Sequence, residues 1–176
     1  MHYASIKPCD IANGPGVRVS LFVSGCSHHC PGCFNKETWD FSYGQPFTEE
    51  TMTAIYEKLS PGYITGLTLL GGEPMEPVNQ QALLPFIEEV RRRFPDKTIW
   101  CYTGYTYETD LLSVTGRAHC SVTDKLLGMI DVLVDGRFVQ DLYDITLLFR
   151  GSSNQRLIDL KRTVEAGSVV LWENGN

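Results

Sequence analysis

The chain has 176 residues, 43% of them hydrophobic and 20% charged, which is long enough to bury a core and ordinary for a globular protein. A formal net charge of −6 with no long basic run argues against a nucleic-acid surface. The absence of any apolar run of about 18 residues argues against a membrane span, and the start, Met1-His-Tyr-Ala-Ser-Ile-Lys-Pro8, lacks the apolar segment of a signal peptide. One domain over residues 1–176 and a cytoplasmic location are therefore expected. There thiols stay reduced, so the six cysteines read as free thiols and metal ligands rather than three disulfides.

In chain order, Asn13-Gly-Pro-Gly16 forms a turn before a strand-like run, Val17–Val23. The sequence Cys26-Ser-His-His-Cys30-Pro-Gly-Cys33 follows directly. Thr48 is placed to cap a helix that continues over Thr51–Leu59, with Met52, Ile55 and Leu59 on one face. A strand over Gly66–Leu70 leads into Gly71-Gly-Glu-Pro74. Leu83, Ile87, Val90 and Phe94 then recur at helical spacing, and Pro85 implies that this helix starts or kinks near that point. Arg91-Arg-Arg93 beside Glu88-Glu89 reads as the solvated face of the same helix.

Thr98–Thr103 is the next strand, with Cys101 a small buried hydrophobe, and it runs into Thr103-Gly-Tyr105. A helical turn over Asp124–Ile130 precedes a strand over Asp131–Val134 that ends in Asp135-Gly136. Arg150-Gly-Ser-Ser-Asn-Gln-Arg156 is a polar loop, and Ser168–Trp172 is a last strand-like run. Strands alternating with helices predict βαβ units around a parallel sheet. The chain is too short for a complete eight-fold barrel, which takes about 250 residues.

Cys26, Cys30 and Cys33 carry the chemistry. Thiolates hold iron–sulfur clusters, and three local ligands leave one iron of a [4Fe–4S] cube free to bind something other than protein. Pro31-Gly32 supplies a turn that lets the thiolates converge. A zinc site with His28, His29 or a distant residue as fourth ligand is the competing reading, but no second C-x2-C pair exists to complete it. His28 and His29 are expected on the loop surface. Cys9 and Cys120 lack nearby partners.

The C-x3-C-x2-C spacing is the radical S-adenosylmethionine (SAM) signature. With Asn13-Gly-Pro-Gly16, Phe34-Asn-Lys36, Gly71-Gly-Glu-Pro74, Thr103-Gly-Tyr105, Asp131-Val-Leu-Val-Asp-Gly136 and Arg150-Gly-Ser-Ser-Asn-Gln155, it resembles the radical SAM activases of glycyl-radical enzymes over roughly residues 1–156. Within these it is most similar to those that serve anaerobic ribonucleoside-triphosphate reductase. The resemblance implies an incomplete, open (β/α) barrel of the radical SAM type with a mostly parallel sheet. It implies a [4Fe–4S] cluster on Cys26, Cys30 and Cys33, with SAM chelating the open iron and bordered by Gly32, Cys33, Phe34, Gly71, Gly72 and Glu73. In that family an aromatic residue commonly precedes the third cysteine; here Gly32 takes that place and Phe34 follows.

Glu73 is placed either to accept from the SAM ammonium or to order its loop. Asn13 and Gly14 line a partner's entry or simply turn the chain. Asp135, Arg150, Ser152 and Asn154 contact the SAM ribose or carboxylate, or the partner, or form a solvent loop. No protein acid or base is implied, because the cluster and SAM carry the chemistry. One electron from a low-potential donor such as flavodoxin cleaves SAM to methionine and a 5′-deoxyadenosyl radical. That radical takes hydrogen from a glycine of the large subunit of the reductase. An activase of another glycyl-radical enzyme, of the formate-lyase type, is the nearest alternative. A non-catalytic iron–sulfur or zinc module is the more distant one.

Overall fold

In the computed structural model residues 1–173 are described, so the last three residues of the expected 1–176 unit lie outside them. Val17–Val23 forms β2 and sits near the middle of the sheet, flanked by β1 (His2–Asp10) and by β4 (Ile64–Gly71). The strand order is β3-β1-β2-β4-β5-β6-β7, where β3 is Gln45–Pro46, β5 Thr98–Tyr102, β6 Val132–Asp135 and β7 Arg156–Asp159. Helices α1 (Glu49–Leu59), α2 (Pro77–Arg93) and α3 (Thr123–Leu127) lie in the crossovers between the parallel strands, and α4 (Leu160–Ala166) follows β7.

This corrects the expected incomplete (β/α) barrel with a mostly parallel sheet. The sheet is open and mixed: β2, β4, β5 and β6 pair in parallel, while β1–β2, β1–β3 and β6–β7 pair antiparallel. The cause lies in the connections. Antiparallel neighbours need no helical crossover, and β1 reaches β2 through the short 11–16 turn while residues 136–155 carry only a single 3-10 turn. His2–Asp10 gives no strand signal because its side chains are mostly exposed or half-buried and do not alternate in polarity. The expected strand Ser168–Trp172 is reduced to a bridge between Leu171 and Ile158, flanked by bonds from Asp159 N–H to Val170 O and from Trp172 N–H to Leu157 O.

Alternation along the strands separates two faces. Val19, Leu21, Val23, Leu67, Leu69, Ile99, Cys101 and Leu133 join the main core with Ile55, Leu59, Leu83, Phe86, Ile87 and Val90 from α1 and α2. Trp100, Val132 and Val134 project to the other face and pack with Leu157, Phe149 and Trp172. Arg18 also lies on that second face and is fully buried. Its guanidinium donates to Thr68 Oγ1 at 2.7 Å, Thr98 Oγ1 at 2.9 Å and Leu67 O at 2.7 Å, and it sits over the Trp100 ring. Burial lowers its pKa to about 10, which still leaves it charged at neutral pH.

Helix α1 starts at the expected cap, with Thr48 and Thr51 bonded reciprocally. Helix α2 begins at Pro77 and runs through Pro85, well before the apolar stripe that predicts it. Its first turns are built on buried polar side chains, Asn79 and Gln80, so hydrophobic periodicity could not reveal them. Arg92 and Arg93 pair with Glu89 as a solvated face should. Arg91 differs: it donates to Met129 O at 2.8 Å, Lys97 O at 3.0 Å and Asp131 Oδ2 at 2.5 Å, tying α2 to the approach to β6. Arg91→Ala should therefore lose about 2 kcal/mol and lower the melting temperature by roughly 4–8 °C in a circular-dichroism melt. Arg92→Ala, on the open surface, should stay within about 0.5 kcal/mol of the parent.

Candidate functional site

The four mutually parallel strands all end at one edge of the sheet, and their outgoing loops meet there. The cysteine loop leaves β2, Gly71-Gly-Glu-Pro74 leaves β4, Thr103-Gly-Tyr105 leaves β5 and Gly136-Arg137 leaves β6. The loop entering antiparallel β7 arrives at the same edge. Open α/β sheets place ligands beyond the carboxyl ends of their strands, and a cavity of about 200 Å³ lies here.

Cys26, Cys30 and Cys33 line this cavity together with Phe34, Gly71, Gly72 and Glu73. All six cysteines of the chain are free thiols, and Cys9, Cys101 and Cys120 do not reach the cavity. Burial pushes the Cys26 thiol up to about 12, against the backbone N–H groups of His28 and His29, with Glu73 adding to the rise. Binding a metal there exchanges the thiol proton for the metal ion. Among the described residues no three His, Cys, Asp or Glu side chains converge on one point where a single ion would sit. A cube makes a different demand, since each thiolate takes its own iron, and three thiols lining one cavity fit it.

The glycines of Gly71-Gly72 serve the fold as well as the cavity. Gly72 N–H donates to Val23 O and Glu73 N–H to Gly25 O, both at 2.8 Å, so the parallel ladder continues past β4 and clamps the start of the cysteine loop. A Cβ on Gly72 would lie 2.8 Å from Gly25 O and 2.9 Å from Thr38 O, a backbone approach only glycine permits.

Glu73 is 1% exposed. Its Oε1 accepts from Met75 N–H at 2.8 Å, and its Oε2 accepts from Gly104 N–H at 2.7 Å and from His28 Nε2 at 3.0 Å. One carboxylate thus joins the loops after β2, β4 and β5. Glu76 adds a second tie, accepting from Ser27 N–H at 2.8 Å and Ser27 Oγ at 2.5 Å. Asn79 at the start of α2 donates to Ser24 O and to Glu73 O. His28 is accordingly buried, packed on Tyr105 with ring centroids 4.4 Å apart, rather than on the loop surface where the sequence suggests it. A polar ring can be buried here because its Nε2 is hydrogen-bonded to the Glu73 carboxylate. His29 does stay exposed, stacked on Trp39.

Gly32 does not line the cavity. It has φ +71°, and a Cβ there would lie 2.5 Å from Gln140 Oε1. The left-handed backbone there strains any residue with a side chain, and Gln140 from the loop after β6 fills the space beside it. Phe34 is 70% exposed and packs against Phe138 and Tyr143 of that loop, forming an aromatic rim.

The remaining expected site residues lie elsewhere. Asn13 and Gly14 sit at the opposite end of β2, where Asn13 Nδ2 donates to Asp10 and Gly14 packs on Arg18. Asp135 is buried and accepts from Tyr107 N–H and from Arg156, which also forks onto Glu108. These two carboxylates hold the Arg156 pKa above its ordinary value. Arg150 donates to Gln155 O, Ser152 Oγ accepts from Val139 N–H, and Asn154 Nδ2 donates to Arg137 O at 2.8 Å. None of Asp135, Arg150, Ser152 and Asn154 lines the cavity, whereas Gly136, Phe138, Gly151 and Gln155 do. Arg137, which no sequence pattern singles out, reaches the cysteine loop, with Nε 3.3 Å from Cys30 Sγ and Nη2 donating to His28 O.

Comparison with known proteins follows this geometry closely. Residues 12–158 match the 4Fe-4S single cluster domain family. A protein of Escherichia coli K12 named anaerobic ribonucleoside-triphosphate reductase-activating protein is 46% identical over 157 residues, 88% of this chain and 96% of that one. Proteins of the same name from Pasteurella multocida and phage T4 are 45% and 43% identical, covering 88% and 89% of this chain and 95% and 93% of theirs. Among the described residues no helix is long and apolar enough to cross a membrane.

Proposed function

The chain belongs to the family of anaerobic ribonucleoside-triphosphate reductase-activating proteins and carries a 4Fe-4S single cluster domain, and from that premise we propose that it is a cytoplasmic radical SAM oxidoreductase that installs the glycyl radical of an anaerobic ribonucleoside-triphosphate reductase. Cys26, Cys30 and Cys33 would hold the [4Fe–4S] cluster, and SAM would bind beside it in the cavity they line. When bound, this pair supplies a one-electron cleavage of SAM to methionine and a 5′-deoxyadenosyl radical, which takes hydrogen from a glycine of the reductase large subunit. The electron comes from a low-potential donor such as flavodoxin. The observation that carries the reading is the donor set: three free thiols lining one cavity at the carboxyl ends of the parallel strands, with no fourth cysteine in that lining among the described residues.

The protein's own residues position and shield. Glu73 orders the loops, because its two oxygens already accept three protein donors, and the SAM ammonium is left to the backbone around Gly71-Gly72. Phe34, Phe138 and Tyr143 form an apolar rim that keeps water from the cavity as the reductase segment enters. Anaerobically purified protein should carry about four irons per chain with matching sulfide. Mixed with the reductase large subunit, SAM and dithionite, it should give a glycyl-radical signal by electron paramagnetic resonance that disappears without SAM. A signal on a formate-lyase-type enzyme and none on the reductase would reassign the partner, and no signal on either would sink the activase reading.

A further inference from the structure

We propose that Arg137 is a positioning residue for the cluster that tunes its potential through Cys30, and that the Arg150–Gln155 loop exists to hold it there. The inference rests on the reading above that Cys30 is a cluster ligand. Its main residues, Arg137, Arg150 and Asn154, lie outside the cavity lining.

Two independent sets of contacts meet at Arg137. Its guanidinium donates from Nε to Cys30 Sγ at 3.3 Å and from Nη2 to the backbone carbonyl of His28, so it bridges His28 and Cys30 as a two-pronged clamp. Its backbone is fixed from the other side. Asn154 Nδ2 donates to Arg137 O at 2.8 Å, and Gln155 Nε2 donates to Gly136 O at 3.0 Å. Gln155 is itself anchored, its Oε1 accepting from Gly151 N–H at 2.9 Å and Ser152 N–H at 3.1 Å. Arg150 closes the loop by donating to Gln155 O. The amides of Asn154 and Gln155 therefore hold the backbone of Arg137 and of Gly136 before it, while Gln155 Oε1 and Gln155 O close the loop on itself and Ser152 Oγ ties it to Val139 N–H. A loop built only to meet solvent would not need that convergence.

The electrostatic consequence has a definite sign. Reduction of the cluster adds one electron from a one-electron donor, raises the net negative charge by one, and makes or breaks no bond. A guanidinium bonded to a ligand sulfur favours the more negative state, so it raises the reduction potential. Arg137 is exposed as a residue, so solvent screens part of the effect and a moderate shift is expected rather than a large one.

The test is a potentiometric titration of the reconstituted protein without SAM, followed by electron paramagnetic resonance of the reduced cluster. Iron and sulfide are counted first. If the parent protein holds no cluster, the functional reading fails before Arg137 is tested. With the cluster loaded, Arg137→Gln should lower the reduced-to-oxidised ratio at a fixed potential about fivefold, which is about 40 mV at about 59 mV per tenfold for one electron. Arg137→Lys, which keeps the charge but cannot bond the sulfur and the His28 carbonyl together, should shift it in the same direction by about twofold. Asn154→Ala should fall between Lys and the parent. A loaded Arg137→Gln protein with an unchanged ratio overturns the proposal. So does an unchanged ratio with weakened SAM binding, which would make Arg137 a partner of the SAM carboxylate instead. If Arg137→Gln does not load, Arg137→Lys decides, a lowered ratio supporting the proposal and an unchanged one overturning it.

Discussion

Alanine at any one of Cys26, Cys30 or Cys33 should reduce SAM cleavage by at least about a thousandfold, the scale on which a reaction losing its cofactor falls back toward background, while leaving a folded chain. Each position provides one of three thiols lining the cavity, and on the proposed ligation a cluster that loses one of them becomes labile. Folding should survive because the thiols contribute little packing of their own. Cys26 and Cys30 are each 8% exposed, and trimming a sulfur there costs on the order of 1 kcal/mol. The informative control is Cys101. It is fully buried in β5 on the helix-packed face, so Cys101→Ala should cost about as much stability or more and yet retain iron and activity. Iron and sulfide counts after anaerobic reconstitution, read beside thermal melts, separate a lost ligand from a loosened core. Full cleavage activity in any one of the three loop variants would refute the cluster assignment.

The sequence makes the site more legible than the frame that carries it. The cysteine spacing, Gly71-Gly-Glu-Pro74 and Thr103-Gly-Tyr105 each follow a β-branched or apolar run, and all three arrive at one cavity because the strands before them are parallel neighbours. What patterns miss is whatever is held by polar side chains. The first turns of α2 bury Asn79 and Gln80, whose amides bond Ser24 O, Glu73 O, Met75 O and Ala118 O, so the helix is longer than its apolar stripe. The N-terminal strand carries no alternation, yet its antiparallel pairing with β2 is half of why the sheet is mixed. His28 reads as a surface residue beside its neighbour His29, and only a buried acceptor 45 residues away decides otherwise. Arg137 has no local signature at all; its contact with Cys30 is set by where β6 and the following loop place it.

Glu73 offers the sharpest separation of a structural from a ligand-binding role, and its variants should be unstable before any cofactor is added. The carboxylate is 1% exposed and satisfies Met75 N–H, Gly104 N–H and His28 Nε2 at once. In Glu73→Gln the shape is kept but one oxygen becomes an amide nitrogen, which must face at least one of these donors. One buried donor is then left unpaired, at about 1–3 kcal/mol, or roughly 2–12 °C in the melt of the cluster-free protein. Glu73→Ala abandons all three donors and opens a void between the cysteine loop and β5, so a loss of about 4 kcal/mol or more is expected, with a correspondingly lower melting temperature. Iron retention should fall with it, because the donors released include His28, which lies within the cysteine loop itself. Had the carboxylate been kept for the SAM ammonium, the amide variant would melt like the parent without cofactor and differ only in SAM affinity. A cluster-free melt of Glu73→Gln within a degree of the parent would therefore return Glu73 to the ligand, and it would leave the junction of the three loops to Glu76, Asn79 and the backbone bonds of Gly72 and Glu73.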